Sequence, residues 1–351
     1  MAAMDEQMNI TIKDVARHAN VSVATVSRAL NGHENVADAV RKRVAAVADQ
    51  LQYTPHHAAR SLSSRRTHTI GVVLPDLQGE FFSELMRGID QVARERRLHL
   101  LVSSCHDKQD EQDAALRAMR GRVDGLLVMS PCVDDGTHFG GSLSESMPTV
   151  IMNSRVPDGE HHLLCIDNYG GARAMVRHLV GSGYRKICFI AGPRGNFDAS
   201  ERLRGYRDEM AQSVPDVQPW ILHGNFDEVS GHQAGESLLT STWRPEAVFA
   251  ANDMMALGCM FALNKAGLQA PHDLAIAGFD DIPLSRFAYP SLTTMRVDIA
   301  KLGERAMRLL LEATLPQNHA SKPINIPLQP QLMVRDSTAE RIVERAYRVS
   351  S

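Results

Sequence analysis

The sequence lacks most of what would mark a membrane, secreted or catalytic protein. No uninterrupted apolar run approaches the roughly 20 residues of a membrane-spanning helix. The first ten residues, MAAMDEQMNI, are acidic and contain no apolar signal core. Cysteine is scarce: Cys105, Cys132, Cys165, Cys188 and Cys259 are odd in number and widely spaced, with no C-x-x-C pair and no zinc-type Cys/His spacing. Several sit in apolar runs such as CFIAG and LLCID, where they read as buried structural thiols. There is no G-x-S-x-G elbow, no G-x-x-x-x-G-K-[ST] loop, no H-E-x-x-H, and no G-x-G-x-x-G after the strand run near residue 70. These absences predict a cytoplasmic protein with no metal, no cofactor and no catalytic residues.

A large charge of either sign is also missing. The 351 residues carry 38 Lys+Arg against 41 Asp+Glu, a net charge of -3. That balance argues against a wholly basic nucleic-acid binder or a membrane-surface protein, but it is unevenly spread. Residues 1–69 hold nine basic and six acidic side chains, a net +3, and the remainder is -6. A small positive head therefore precedes a larger acidic body, the asymmetry of a nucleic-acid reader joined to a sensor or enzyme. At roughly 100–200 residues per domain, the length predicts two or three domains with ample core.

Residues 11–53 alternate short helical patterns with polar turns, and a polar basic linker, SSRRTHT, follows at 63–69. The pattern then changes. Apolar runs TIGVVLP, LHLLVSS, GLLVMS, TVIMN and LLCIDN alternate with amphipathic stretches such as FFSELMRGIDQVARERR. After residue 169 the alternation resumes with KICFIAG, WILHGNF, AVFAAND and LAIAGFDD. Such alternation means βαβ units and parallel sheets, and two sets predict two similar α/β lobes rather than one very wide sheet. Ligands of parallel sheets sit beyond the carboxyl ends of the strands, so a site is sought just after each apolar run.

The segment TIKDVARHANVSVATVSRALNGHENV carries the sharpest local signal. Thr11 followed by Asp14 marks a helix start, with Ile12, Val15 and Ala16 as its apolar stripe. A tight turn at Ala19–Asn20 precedes a second helix capped by Ser22, with Val26, Ala29 and Leu30 inward and Asn31-Gly32 as its stop. A third helix through Val40, Val44, Val47 and Leu51 would close the core. This is helix-turn-helix patterning. Small Val23 and Ala24 let the second helix approach base edges, Ser22, Thr25 and Ser27 can donate to phosphates, and Arg28 can reach a guanine edge. The competing reading is an unrelated helical hairpin with Arg28 as a solvated surface charge.

Read together, TIKDVARHANVSVATVSRALN, YTPHHAARSLSSRRTHTIGVV, ERLRGYRDEM, AVFAANDMMALG, LAIAGFDD and SLTTMRVDIAKLG resemble, in this order, the lactose/galactose repressor (LacI/GalR) family, along residues 10–337. The resemblance implies a helix-turn-helix head (1–54), a hinge helix and linker (55–69), a bilobed body like periplasmic binding proteins (70–337), and a tail (338–351). The body's first lobe would take about 70–168 and 296–325, its second about 169–295 and 326–337. In DNA, Val23, Ala24 and Arg28 would read bases, while Ser22, Thr25, Asn31 and Tyr53 would contact or position the backbone. In the hinge stretch AARSLSS, Leu62 takes the place of a leucine that wedges into the minor groove, with Ala58 and Ala59 facing the partner hinge; Ala59 and Leu62 join the DNA-contacting set. Seven residues are too few for a stable isolated helix, so this order would depend on dimerisation and DNA. One departure stands out: Ala37-Asp38-Ala39-Val40-Arg41 replaces the usual Ser-x-x-Thr-Arg, losing a hydroxyl cap and a phosphate contact. His56 and His57 could form a pH switch or metal pair, but read better as solvated linker side chains.

In the body, Asn252-Asp253, Asp280-Asp281 and Asp167-Asn168 all follow strand runs, and Arg202, Phe81, Phe82 and Phe226 lie near others. Carboxylates, an amide and an arginine beside aromatic faces suit a sugar or nucleoside. The resemblance places Phe81, Phe82, Asn196, Asp198, Arg202, Phe226, Asn252 and Asp280 around the interlobe cleft. Asp167 and Asp253 read equally well as structural caps or as ligand contacts. The purine-sensing branch of the family would want a donor-rich Arg/Thr pair where Asn196 and Asp198 stand, so the resemblance favours a sugar or sugar derivative over a purine. The expected protein is a repressor that binds a pseudo-palindromic operator as a homodimer under effector control. Export as a solute-binding protein or turnover of a sugar would overturn it. The tail offers only Ile342, Val343, Ala346 and Tyr347 in one or two turns, too little for a tetramerising coiled coil of about three or four heptads.

Overall fold

The computed structural model describes residues 10–30, 35–53, 66–106, 108–130, 147–154, 161–315 and 324–338. The chain divides after Thr67 into two units. In the first, α1 (Ile12–Ala19) opens where the Asp14 carboxylate accepts from the Thr11 N–H at 3.0 Å and from its hydroxyl at 2.7 Å. It closes at Asn20, which takes the left-handed conformation (φ 50) and turns its N–H back onto the carbonyls of Ala16 and Arg17. The predicted tight turn is this single residue. Ser22 Oγ accepts from the Thr25 N–H at 3.1 Å and so opens α2 (Val23–Leu30). α3 (Asp38–Gln50) begins without any side-chain cap at Ala37, as the missing hydroxyl predicted. Val15, Ala19, Val26 and Val44 form the centre of this head, with Val40, Val47, Leu51 and Tyr53 packed around it. The proposed stop at Asn31-Gly32 lies outside the described residues.

The second unit is built from two sheets. β1 (Thr69–Leu74), α4 (Glu80–Glu95), β2 (His99–Ser104), α5 (Gln109–Met119), β3 (Gly125–Met129), β4 (Thr149–Met152) and β5 (His162–Ile166) make the first lobe. The second lobe runs through α6 (Asn168–Gly181), β6 (Ile187–Ala191), α7 (Phe197–Ser213), β7 (Trp220–His223), α8 (Glu228–Thr240), β8 (Ala247–Ala250), α9 (Asp253–Lys265) and β9 (Ala275–Asp280). A 3-10 turn (Pro283–Arg286) leads to β10 (Thr293–Arg296). α10 (Ile299–Ala313) then returns to the first lobe, where it packs on α4 so closely that a Cβ on Gly88 would stand 1.9 Å from the Ala300 carbonyl oxygen. The last two strands are β11 (Asn325–Leu328) and β12 (Gln331–Met333).

The strand orders are β11-β5-β4-β3-β1-β2 and β12-β10-β9-β8-β6-β7. Every neighbouring pair is parallel except β10 with β12. Strands β3, β4, β6, β8 and β9 are buried throughout, which is why each was legible as an unbroken apolar run. One boundary moves. The final crossing was expected near residue 325, but β11 pairs with β5 (Asn325 opposite Leu163, Leu328 opposite Ile166), so the chain changes lobe at Gln329-Pro330. The segments on either side of that dipeptide look alike in sequence, and only their pairing assigns them to different sheets. Among the described residues no helix is long and apolar enough to cross a membrane. Cys105, Cys188 and Cys259 are buried thiols and Cys165 is half-buried; Cys132 lies outside the described residues.

Candidate functional site

The carboxyl ends of β1, β6, β7, β8 and β9 meet a cavity of about 170 Å³ between the two lobes. Phe81, Phe82, Asn196, Asp198, Arg202, Phe226, Asn252 and Asp280 all line it. These eight are the residues singled out from the sequence for the cleft.

Arg202 organises the floor. It projects from α7 and is only 3% exposed. Its Nε donates to Asn168 Oδ1 at 2.7 Å, and Nη1 donates to the Ala251 carbonyl at 2.6 Å. Nη2 lies 3.1 Å from Asp280 Oδ1, and the guanidinium covers the Phe279 ring at 3.9 Å from its centroid. Asn168 passes the network on, its Nδ2 donating to Asp198 Oδ1 at 2.7 Å. The result is a chain of Asp198, Asn168, Arg202 and Asp280. The contact between Arg202 and Asp280 is an ion pair rather than a directed hydrogen bond, and Asp280 Oδ1 is left without a hydrogen-bond donor among the described residues. Burial lifts the Asp280 carboxyl to about 6, although Arg202 pulls it down; burial lifts Asp198 to about 6 against the same opposing charge. Both are above the ordinary aspartate range yet remain ionised at neutral pH.

The walls carry backbone strain. Phe226 (φ 64), Asp280 (φ 112) and Asp281 (φ 56) occupy left-handed territory without being glycine, at a cost of order 1–3 kcal/mol each. Asn252 explains part of this. Its Oδ1 accepts from the Met255 N–H at 3.0 Å and caps α9, while its Nδ2 donates to the Phe226 carbonyl at 2.8 Å. Opposite, a Cβ on Gly192 would stand 2.5 Å from two Phe226 ring carbons, so the ring takes its position only because residue 192 has no side chain. Phe81 and Phe82 meet edge to face, centroids 5.5 Å apart.

Asn196 behaves differently from expectation. Its Oδ1 caps α7 by accepting from the Ala199 N–H at 3.0 Å, so the acceptor counted toward a polyol is already engaged. Asp198 likewise shares one oxygen with Asn168. The two ambiguous aspartates resolve to structural roles. Asp167 caps α6 by accepting from the Gly170 N–H at 2.8 Å. Asp253 is fully buried and accepts from Ile282 N–H (3.0 Å), Ser285 Oγ (2.7 Å) and Thr294 Oγ1 (2.5 Å), which fixes the loop after β9.

Several lining residues were not identified in advance: Asp76, Gln78 and Glu80 after β1, Asn225 after β7, and the hub Asn168. The first four obey the same rule of position after a strand. With them, four carboxylates (Asp76, Glu80, Asp198, Asp280) face one guanidinium, so the lining is strongly acidic.

In the head, Ser22, Val23, Ala24 and Arg28 are exposed on α2, with Thr25 and Ser27 half-buried and Val26 and Ala29 turned inward. Val23 is 42% exposed, an apolar side chain held in solvent at the first turn. Thr25 and Ser22 hydroxyls bond to each other at 2.8 Å, and Arg28 Nε donates to the Ala24 carbonyl at 3.2 Å, folding the guanidinium along its own helix. Tyr53 packs half-buried on the head core, and burial raises its phenol above the ordinary value. Asn31, Ala59 and Leu62, together with His56 and His57, lie outside the described residues. Among the described residues no group of three or more His, Cys, Asp or Glu is placed to hold a metal ion.

Comparison with known proteins places these features in a family. Residues 11–56 match the model described as bacterial regulatory proteins, lacI family, and residues 176–338 match a periplasmic binding protein-like domain. The chain is 34% identical to the catabolite control protein A of Priestia megaterium, over 91% of this chain and 97% of that protein. It is 34% identical to the ribose operon repressor of Haemophilus influenzae, over 93% and 98%. A solved structure of the lac repressor dimer bound to operator and the anti-inducer ONPF superimposes with a TM-score of 0.83 at 28% identity, covering 94% of this chain and 99% of that one.

Proposed function

The chain belongs to the lacI family of bacterial regulatory proteins, and on that footing we propose that it is a cytoplasmic, non-enzymatic repressor whose grip on a pseudo-palindromic operator is set by a small neutral polyol in the interlobe cleft. Two copies present two α2 helices to successive major-groove half-sites. Val23, Ala24 and Arg28 read base edges, Ser22, Thr25, Ser27, Asn31 and Tyr53 hold the phosphate backbone, and Leu62 with Ala59 engages the minor groove. Effector binding alters lobe closure and thereby operator affinity, with a coupling of about 1–3 kcal/mol typical of such linkage.

The observation that carries the effector class is the buried, undonated Asp280 Oδ1 in a cleft where carboxylates outnumber guanidinium four to one. A buried acceptor of this kind is costly unless a ligand hydroxyl donates to it. The same acidic wall repels a phosphorylated or carboxylated sugar. The three phenylalanine faces meet the apolar side of a sugar ring. No Ser, Thr, Cys, His or Lys lines the cleft, which leaves its carboxylates without a nucleophilic partner.

The test is calorimetric titration of the full chain with neutral monosaccharides, their phosphate esters and nucleosides, alongside operator binding. A neutral sugar is expected to bind and shift operator affinity, and Asp280→Ala to abolish the response while operator affinity persists. Preference for a phosphate ester, or turnover of any sugar, overturns this reading. A purine base is the second reading, favoured by the engagement of Asn196 Oδ1 in helix capping, which leaves this residue only its amide N–H groups for a ligand.

A further inference from the structure

Behind the cleft lies a second cavity, larger at about 360 Å³. It is lined by Arg87 of α4, Arg286 of the 3-10 turn, Arg296 at the end of β10, the buried Asp281, and the backbone of Ile299 and Ala300 at the start of α10. Its walls therefore come from both lobes.

The charge in this cavity is unbalanced around one residue. The Asp281 side chain has no exposed surface, yet it serves three guanidiniums: Arg296 Nε at 2.6 Å, Arg286 Nη2 at 3.3 Å, and Arg335 in close contact. Burial pushes its carboxyl up, but hydrogen bonds from Arg296 and Arg335 outweigh that and hold it below the ordinary value. One carboxylate cannot neutralise three cations. Arg286 engages one N–H and Arg296 another, and neither guanidinium makes a further hydrogen bond among the described residues. The other acidic groups at the wall have cations of their own: Glu84 pairs with Arg87 and Asp298 with Lys301. The first backbone N–H groups of α10, a 15-residue helix, add partial positive charge, since they have no intrahelical acceptor. Guanidinium forks beside such amides match the geometry of a tetrahedral oxyanion.

We propose that this second cavity is a binding site for a small phosphate monoester. Its volume leaves room for an organic group beyond the phosphate. The cleft and this cavity share two walls: Glu80 and Glu84 are one turn apart on α4, and Asp280 and Ile282 face the cleft while Asp281 and Pro283 face the second cavity. A ligand bridging Arg87 to Arg286 or Arg296 ties the lobes together from behind and so couples to whatever occupies the cleft. The phosphate site stands independently of the effector assignment; only the coupling rests on it.

The test uses the full chain with inorganic phosphate and glycerol 3-phosphate, with chloride at matched ionic strength as control, read by thermal shift and calorimetry. A saturable rise in melting temperature is expected with glycerol 3-phosphate, and a smaller one with inorganic phosphate. Arg286→Gln, an exposed side chain whose loss leaves Asp281 with two cations, is expected to weaken binding roughly ten-fold or more, and Arg87→Glu to abolish it. No saturable shift over chloride, or equal affinity in wild type and both variants, overturns the proposal. The second outcome assigns any phosphate effect to the DNA-reading head.

Discussion

The Glu80 carboxylate, in the first turn of α4, accepts a 3.1 Å hydrogen bond from the backbone N–H of Leu284 and so joins the two lobes beside the cleft. Because the contact is exposed, it contributes modestly, about 0.5–1.5 kcal/mol. Glu80→Ala is expected to weaken effector affinity roughly two- to ten-fold while leaving the melting temperature of the free protein almost unchanged. Titration calorimetry beside thermal melts checks this; unchanged affinity would show that the bond does not bias closure.

Gly192→Ala is expected to act on Phe226 alone. The added methyl overlaps the ring and must displace it toward the cavity, an overpacking cost of about 1–3 kcal/mol. The expected result is lost effector affinity with operator binding retained in the absence of effector. If the variant binds effector as wild type does, the ring is not fixed by this contact.

Asp253 should make stability depend on pH. Burial lifts its carboxyl from the ordinary 3.8 to about 8. Between those values the folded chain holds a proton that the unfolded chain has released, so stability is highest near pH 4 and falls as pH rises toward 8. Asn resembles the protonated carboxyl and can donate to Thr294 Oγ1 in its place. Asp253→Asn is therefore expected to flatten the slope, gaining on wild type as pH rises. Urea melts from pH 4 to 8 decide it, and a constant difference between the two proteins would rule the carboxyl out as the source.

The head and hinge should separate in gel shifts at matched salt. Arg28→Ala is expected to relax base preference at one operator position, a loss of about 1–3 kcal/mol in discrimination. Leu62→Ala is expected to weaken specific binding far more than non-specific binding, since the wedge acts only on a bent site. Equal losses in both modes would count against the wedge.

The sequence by itself determined the elements. Unbroken apolar runs announced strands buried on both faces, Thr11 with Asp14 and Ser22 with Thr25 announced helix starts, and position after a strand located all eight predicted cleft residues. These signals are local, set by burial, periodicity and capping within a few residues. Tertiary structure alone decided the rest. Whether residues 325–328 join the first sheet or the second depends on a partner strand some 160 residues away. Asn168 became the hub between Asp198 and Arg202, and Asn196 turned its oxygen into its own helix, because side-chain amides are assigned by whichever neighbours packing supplies. Adjacent Asp280 and Asp281 were indistinguishable as letters. The fold gave one a single guanidinium and the other three, so burial raises the first while hydrogen bonds hold the second low.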